Sequence, residues 1–428
     1  MRIHKYFLLS LAIILISISC EDRSDLTQPS AANTGSADFS KFVSIGNSLT
    51  AGYQSGALFE SGQKYSYGKL IADQVGTNYA QPTIDDPGIG GRIEVKTLEP
   101  FTTSTQPAAG GLPNNSTYEN SYNNLGIPGI VVADVLTTTA SPSNYVGNNL
   151  LIDVVLRGQG TVISQALALQ PTFMTVWIGN NDILGYATSG GTLPYTPIDG
   201  DINFGVLYSQ LLGAIAQAGV QNVLVANIPD VSSIPFFTTV GGQLRLQGIT
   251  QIVGTKSDGT IAPLDLTKNL LTLRASEELA QGKGMTADNP LSNSVILDEG
   301  EIAIAKSIIS SFNSTILTVS SQFGFHLVDM HSFFNSVAQN GLTVDGVTYT
   351  TQFLTGGLFS LDGVHPTSQG YAIIANEFIK VVNSKYNADI PLVNVSSIPG
   401  SIELAKKVNF NKLGLPIFDE GTFDSIFY

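Results

Sequence analysis

Ser48 stands directly after an apolar, strand-like run that a glycine interrupts, Phe42-Val43-Ser44-Ile45-Gly46-Asn47-Ser48. Far downstream, Asp362-Gly363-Val364-His365 places a carboxylate and an imidazole three residues apart. A serine hydroxyl becomes a useful nucleophile only when an imidazole takes its proton, and the imidazole in turn needs a carboxylate to fix its tautomer. One short turn can deliver both the base and its orienting partner, with Gly363 relaxing that turn. These are the parts of acyl-transfer chemistry on an ester.

Beyond the first residues the chain has three histidines, His326, His331 and His365. His326 lies within an apolar strand-like run and reads as a core histidine. His331 follows Asp329 at a strand end and is the weaker rival for the base. The negative charge that develops on the attacked carbonyl oxygen needs donors already in place. Trp177-Ile178-Gly179-Asn180-Asn181-Asp182 closes an apolar run on two amides, one of which can point into the site while Asp182 holds the loop. Gly129, in Asn124-Leu125-Gly126-Ile127-Pro128-Gly129, can bring a bare backbone N–H close to a substrate.

The elements around these residues alternate. Nearly continuous apolar runs at 42–45, 173–178, 222–226 and 325–328 predict parallel strands buried on both faces. Longer patterns at 65–75, 152–169, 204–218, 299–323 and 368–385 predict helices, the last capped by Thr367. Alternating strands and helices predict an α/β fold, a doubly wound sheet with its site at the carboxyl ends of the strands. Residues 41–386 form the folded unit. Two stretches, near 81–120 and 236–290, break the alternation and read as insertions beside the cleft. Phe236, Phe237 and Tyr349 are expected walls of an acyl channel there. Residues 387–428 form a tail without an assigned role.

The four segments occur in the order of the sequence blocks of the SGNH, or GDSL, hydrolase superfamily: Gly46-Asn47-Ser48-Leu49, Gly129, Gly179-Asn180-Asn181-Asp182, and Asp362-Gly363-Val364-His365. The resemblance spans roughly residues 41–385. It implies a three-layer α/β/α sandwich with a central, mostly parallel sheet of about five strands. It also implies Ser48 as nucleophile, His365 as base, Asp362 as its orienting acid, and an oxyanion hole made by the Ser48 N–H, the Gly129 N–H and the Asn181 amide. Asn47 departs from the family, which usually has Asp there. The implied activity is that of an esterase or lipase. A carbohydrate O-deacetylase and a surface-bound binding protein are the alternatives.

Composition bounds the partners. A net charge of −14 argues against nucleic acid. No His, Cys, Asp or Glu cluster has metal-ligand spacing, so neither metal nor other cofactor is expected. The substrate is expected to be a small-molecule, lipid or glycan ester.

The single cysteine, Cys20, follows Arg2, Lys5, an apolar stretch from Tyr6 to Ile18 and the small Ser19. That order matches an export signal, and residues 1–19 are expected to be removed. A cysteine just past the cleavage point resembles a bacterial lipobox, although Ser17 stands where Leu is commonest. The expectation is a lipoprotein of the cell envelope, tethered through 20–40 to a membrane, the outer one in particular. If Cys20 carries the lipid, Cys20→Ser moves the protein from the detergent phase to the aqueous phase in a partitioning experiment. Retention in the detergent phase would defeat the anchor.

Overall fold

In a computed structural model, residues 32–106, 113–141, 149–400, 410–419 and 421–423 are described. Cys20 and the leader lie outside them. Five strands form the central sheet: β1 (Phe42–Gly46), β2 (Asn124–Gly126), β3 (Phe173–Trp177), β4 (Asn222–Ala226) and β5 (His326–Val328). All neighbours are parallel, in the order β5-β4-β3-β1-β2. Every residue of β1 and β3 is buried, as continuous apolar runs require when helices cover both faces.

Eight helices matter for the site: α1 (Ser48–Ala51), α2 (Tyr67–Val75), α3 (Val162–Ala168), α4 (Asn181–Thr188), α5 (Phe204–Gln217), α6 (Pro235–Leu246), α7 (Glu299–Gln322) and α8 (Ser368–Tyr386). Helices α2 and α8 pack together on one side of the sheet, and α3, α5 and α7 on the other. Polar residues inside the strands are satisfied across the layers. The Thr175 hydroxyl donates to Ser44 Oγ at 2.8 Å, and the Tyr67 hydroxyl lies 3.1 Å from Thr50 and 3.4 Å from Thr175. The Tyr67 ring stacks on Phe378 of α8 at 4.7 Å, locking that layer to the sheet.

Strand order reverses between β1 and β3, because the chain leaves β1 toward β2 on one side and later returns to β3 on the other. At such a reversal the loops after the two strands diverge and open a crevice at the carboxyl end of the sheet. Ser48 follows β1 and Asn181 follows β3. The elbow after β1 demands glycine. A Cβ on Gly46 would stand 2.0 Å from Thr50 Oγ1 and 2.6 Å from the Trp177 carbonyl oxygen.

Several elements differ from expectation. The fifth strand, β2, is three residues of Asn-Leu-Gly and carries no apolar run. The helix expected over 152–169 is two, Leu151–Leu156 and Val162–Ala168, broken where Arg157, Gly158 and Gly160 take positive φ. The first insertion holds a hairpin, Arg92–Leu98 with Phe101–Gln106. Tail residues pair with it: the Thr103 N–H donates to the Ile417 carbonyl, and the Ile417 N–H to Phe101. Residues 32–40, expected in the tether, pack on the body instead. Phe39 is buried and stacks on Phe173 at 3.9 Å, and Asn33 bridges to Asp389.

The loop into α4 is held by a buried carboxyl. Asp182 accepts from the Thr196 hydroxyl at 2.7 Å and the Val132 N–H at 3.2 Å. Burial pushes its pKa up to about 7; the two hydrogen bonds oppose that shift, and the nearby Asp134 charge adds to it. The folded protein therefore keeps this proton where the unfolded chain loses it. From pH 3.8 to about 7 unfolding releases the proton, so this group's contribution to stability falls as pH rises through that window.

Two outcomes follow for stability. In denaturant unfolding, Asp182→Asn gains on the wild type as pH is raised from about 4 to about 7, by an amount on the order of a few kcal/mol. A pH-independent difference would show that Asp182 titrates normally. Gly46→Ala lowers the unfolding free energy by roughly 3 kcal/mol or more through overpacking, read from the shift of the denaturant midpoint.

Candidate active site

The Gly46 carbonyl accepts from the Ile127 N–H at 3.1 Å, and Gly46 pairs with Gly126 across the β1–β2 ladder. Beyond that register the two strands run on into the turns carrying Ser48 and Gly129. Asn47 caps α1: its side-chain oxygen accepts from the Leu49 N–H at 3.1 Å. The Asn47 Nδ2 is buried and has no acceptor among the described residues.

The Asp362–His365 turn is closed by a hydrogen bond from the Ser360 N–H to the His365 carbonyl at 2.8 Å. Gly363 has φ +71°, and a Cβ there would meet Leu273 Cδ1 at 2.8 Å and the Phe236 backbone nitrogen at 3.0 Å. Only glycine suits both demands.

The turn carries His365 to Ser48. His365 Nε2 lies 2.8 Å from Ser48 Oγ, and His365 Nδ1 lies 3.0 Å from Asp362 Oδ2. With Nδ1–H donating to the carboxylate, Nε2 is the nitrogen left to accept a hydrogen bond from the Ser48 hydroxyl. Asp362 is fully buried. Its Oδ1 accepts from the Val364 N–H at 2.9 Å, the His365 N–H at 2.8 Å and the Ser360 hydroxyl at 3.1 Å; its Oδ2 also accepts from the Gly56 N–H at 2.9 Å. Burial acts to raise its pKa, but the His365 charge and these hydrogen bonds outweigh it and hold the carboxyl below its usual range. The acid stays ionised.

Three segments hold the donors expected for an oxyanion, of which Ser48 and Asn181 line the cleft and Gly129 does not. The backbone N–H groups of Ser48 and Gly129 have no acceptor among the described residues. Gly129 takes φ +86°, open to glycine without strain. Asn181 Nδ2 donates to the Ile130 carbonyl at 3.0 Å, which ties this amide to the Gly129 turn and leaves its second hydrogen uncommitted. Ser48, Asn181 and His365 line one cleft, whose apolar walls include Leu49, Leu184, Val231, Ile234, Phe334 and Phe359. Its cavity of about 60 Å³ holds a handful of water-sized groups, since one water needs about 10–15 Å³.

Other candidates fall elsewhere. His331 Nδ1 is 3.0 Å from the Ile228 carbonyl, in a separate groove with Asp329 and Asp230. His326 packs its ring on Tyr386 at 5.3 Å. Trp177 is a core residue, its indole N–H on the Asn227 carbonyl at 3.1 Å. Phe236, Phe237 and Tyr349 do not line the cleft: all three are fully buried, the first two edge-to-face with each other. A Phe-Phe pair on an amphipathic helix fills a core before it lines a channel. Gly56, Ser55 and Ser360, which support Asp362, had no sequence signal beyond a hydroxyl two residues from the acid. Among the described residues, no group of three or more His, Cys, Asp or Glu is placed to hold a metal ion.

No curated protein matches the chain significantly in sequence. Among solved structures it is similar to a lipase/acylhydrolase from Enterococcus faecalis (11% identity, TM-score 0.34, covering 82% of this chain and 98% of the other). It is also similar to a Clostridium thermocellum family 3 carbohydrate esterase (13%, 0.33, 81% and 96%) and to the acetylxylan esterase Axe2 from Geobacillus stearothermophilus (12%, 0.36, 82% and 98%). Likeness this distant says nothing of substrate. The GDSL-like lipase/acylhydrolase sequence profile matches residues 42–378, most of the chain and every residue of the Ser48 cleft. The chain belongs to that family and is a hydrolase of ester bonds.

Proposed function

We propose that the protein cleaves carboxylic esters with a short acyl group through an acyl-enzyme on Ser48. The observation that carries this reading is the line Ser48 Oγ–His365 Nε2 at 2.8 Å and His365 Nδ1–Asp362 Oδ2 at 3.0 Å, ending on a buried, ionised carboxylate. Ser48 Oγ attacks the carbonyl carbon as its proton passes to His365 Nε2. The carbonyl oxygen becomes an oxyanion, met by the Ser48 N–H, the Gly129 N–H and the free hydrogen of the Asn181 amide. The bond to the alcohol oxygen then breaks as His365 returns the proton to the leaving alcohol. Water, activated by the same imidazole, releases the acid.

The small apolar cleft favours an acyl group of a few carbons over a long chain, leaving the alcohol, small molecule, lipid or glycan, on the open side. Deacetylation of a carbohydrate is the second reading that the same cleft volume supports. We place the enzyme on a cell-envelope membrane through a lipid on Cys20, a reading that rests on the leader and lipobox alone.

The test uses the full chain with p-nitrophenyl acetate, octanoate and palmitate. Acetate is expected to be the best of the three. Ser48→Ala and His365→Ala each lower kcat by roughly 10⁴-fold or more, and Asn181→Ala by about 10²–10³-fold. Turnover that survives Ser48→Ala would reject the nucleophile. A preference for palmitate would reject the short acyl slot.

A further inference from the structure

Both ring nitrogens of His365 are committed, one to Ser48 and one to Asp362. Those two bonds leave the ring free to tilt and to swing about the line between them. Among the described residues the aromatic ring against it is that of Tyr53, whose centroid lies 4.8 Å from that of the imidazole with the planes inclined by 59°. Tyr53 is buried and fixed at both ends. Its hydroxyl donates to the Gly56 carbonyl at 2.5 Å, and its own carbonyl accepts from the Tyr371 hydroxyl at 2.6 Å. Reciprocal hydrogen bonds between Gln54 and Ala57, 3.1 Å each, close the turn that follows.

The same turn grips the acid. The Ser55 N–H donates to Ser360 Oγ at 2.8 Å, and the Gly56 N–H to Asp362 Oδ2 at 2.9 Å, the oxygen that faces His365. One rigid piece of chain, five to eight residues past the nucleophile, therefore touches the base by a ring and the acid by a backbone donor. A tyrosine whose hydroxyl is tied back to its own turn has no freedom left to reach a substrate, so its ring serves the imidazole.

We propose that Tyr53 is a positioning residue, which holds the His365 ring in line between Asp362 and Ser48. The proposal rests on the reading of His365 as the base of an ester hydrolase. Its effect is on geometry: a base displaced by a fraction of an ångström slows proton transfer without weakening substrate binding.

The experiment compares wild type, Tyr53→Phe and Tyr53→Leu as full chains, each checked for folding by thermal unfolding. Two readouts are taken: ester kinetics, and the low-field proton resonance of the His365 Nδ1–H bonded to Asp362. Tyr53→Phe keeps the ring and is expected to stay within a few-fold of wild type with the resonance intact. Tyr53→Leu is expected to lose or broaden the resonance, and to lower kcat by roughly ten- to a hundredfold with KM nearly unchanged. A folded Tyr53→Leu with wild-type resonance and kcat would overturn the proposal, as would a Tyr53→Phe variant as impaired as Tyr53→Leu. The resonance needs no turnover. If wild type hydrolyses no ester while the resonance still responds to Tyr53→Leu, the hydrolase reading fails and the positioning role stands.

Discussion

The site depends on one buried negative charge. Moving a carboxylate out of water is penalised by several kcal/mol unless donors replace the water it loses. Asp362 is fully buried, and its oxygens meet five donors: three backbone N–H groups, one hydroxyl and the imidazole. Two of the backbone donors lie in its own turn and fix the backbone from 362 to 365. The third comes from Gly56, 306 residues away in sequence. The charge is buried with all its donors in place only when Gly56 and the Asp362 turn have met.

The sheet makes that meeting possible. Gly46 and Gly126 stand opposite each other in the β1–β2 ladder, and α1 passes over them at distances no side chain allows: a Cβ on Gly126 would lie 2.4 Å from the Ala51 nitrogen. This close crossing turns Ser48 toward the crevice at the reversal of strand order. On the other side of the reversal, β3 runs into Gly179 and the start of α4, whose Asp182 is anchored to the helix after Gly129 through the Val132 N–H. The Ser48 turn and the Gly129 turn are thus tied by the Ile127–Gly46 backbone bond, and the Gly129 and Asn181 turns by the Asn181 and Asp182 side chains on the Ile130 carbonyl and the Val132 N–H.

The chemistry was legible because it is local. Ser48 after a broken apolar run, Asp362 three residues before His365, and the amides after Trp177 are each short patterns, and the structure brings Ser48, His365 and the amides to one cleft with Asp362 buried behind His365. The four strands with continuous apolar runs were legible for the same reason. β2 was not: its three residues hold their place through register with β1 and through Asn124, whose amide donates to the Thr50 carbonyl at 2.9 Å. That is a tertiary signal with no periodicity. The break at 157–160 was marked by two glycines within an otherwise helical pattern, where apolar spacing outweighed turn chemistry. The placing of Phe236 and Phe237 in the cleft came from expecting an insertion to be surface throughout. Its first helix is instead part of the core and braces Gly363 from behind.

The donor proposed for the oxyanion has an origin in helix-end chemistry. The first N–H groups of a helix lack partners within it, and a capping residue normally satisfies the second or third. In α1, Asn47 takes the Leu49 N–H on its side chain and the Thr50 and Ala51 N–H groups on its carbonyl. Among these first donors only the Ser48 N–H is left over, and it belongs to the proposed nucleophile. A four-residue helix has too little dipole to attract an anion by itself, so this single aimed donor matters more than the helix behind it. Asn47 makes this cap with an uncharged amide. The cap leaves a buried amide nitrogen, Asn47 Nδ2, with no acceptor among the described residues.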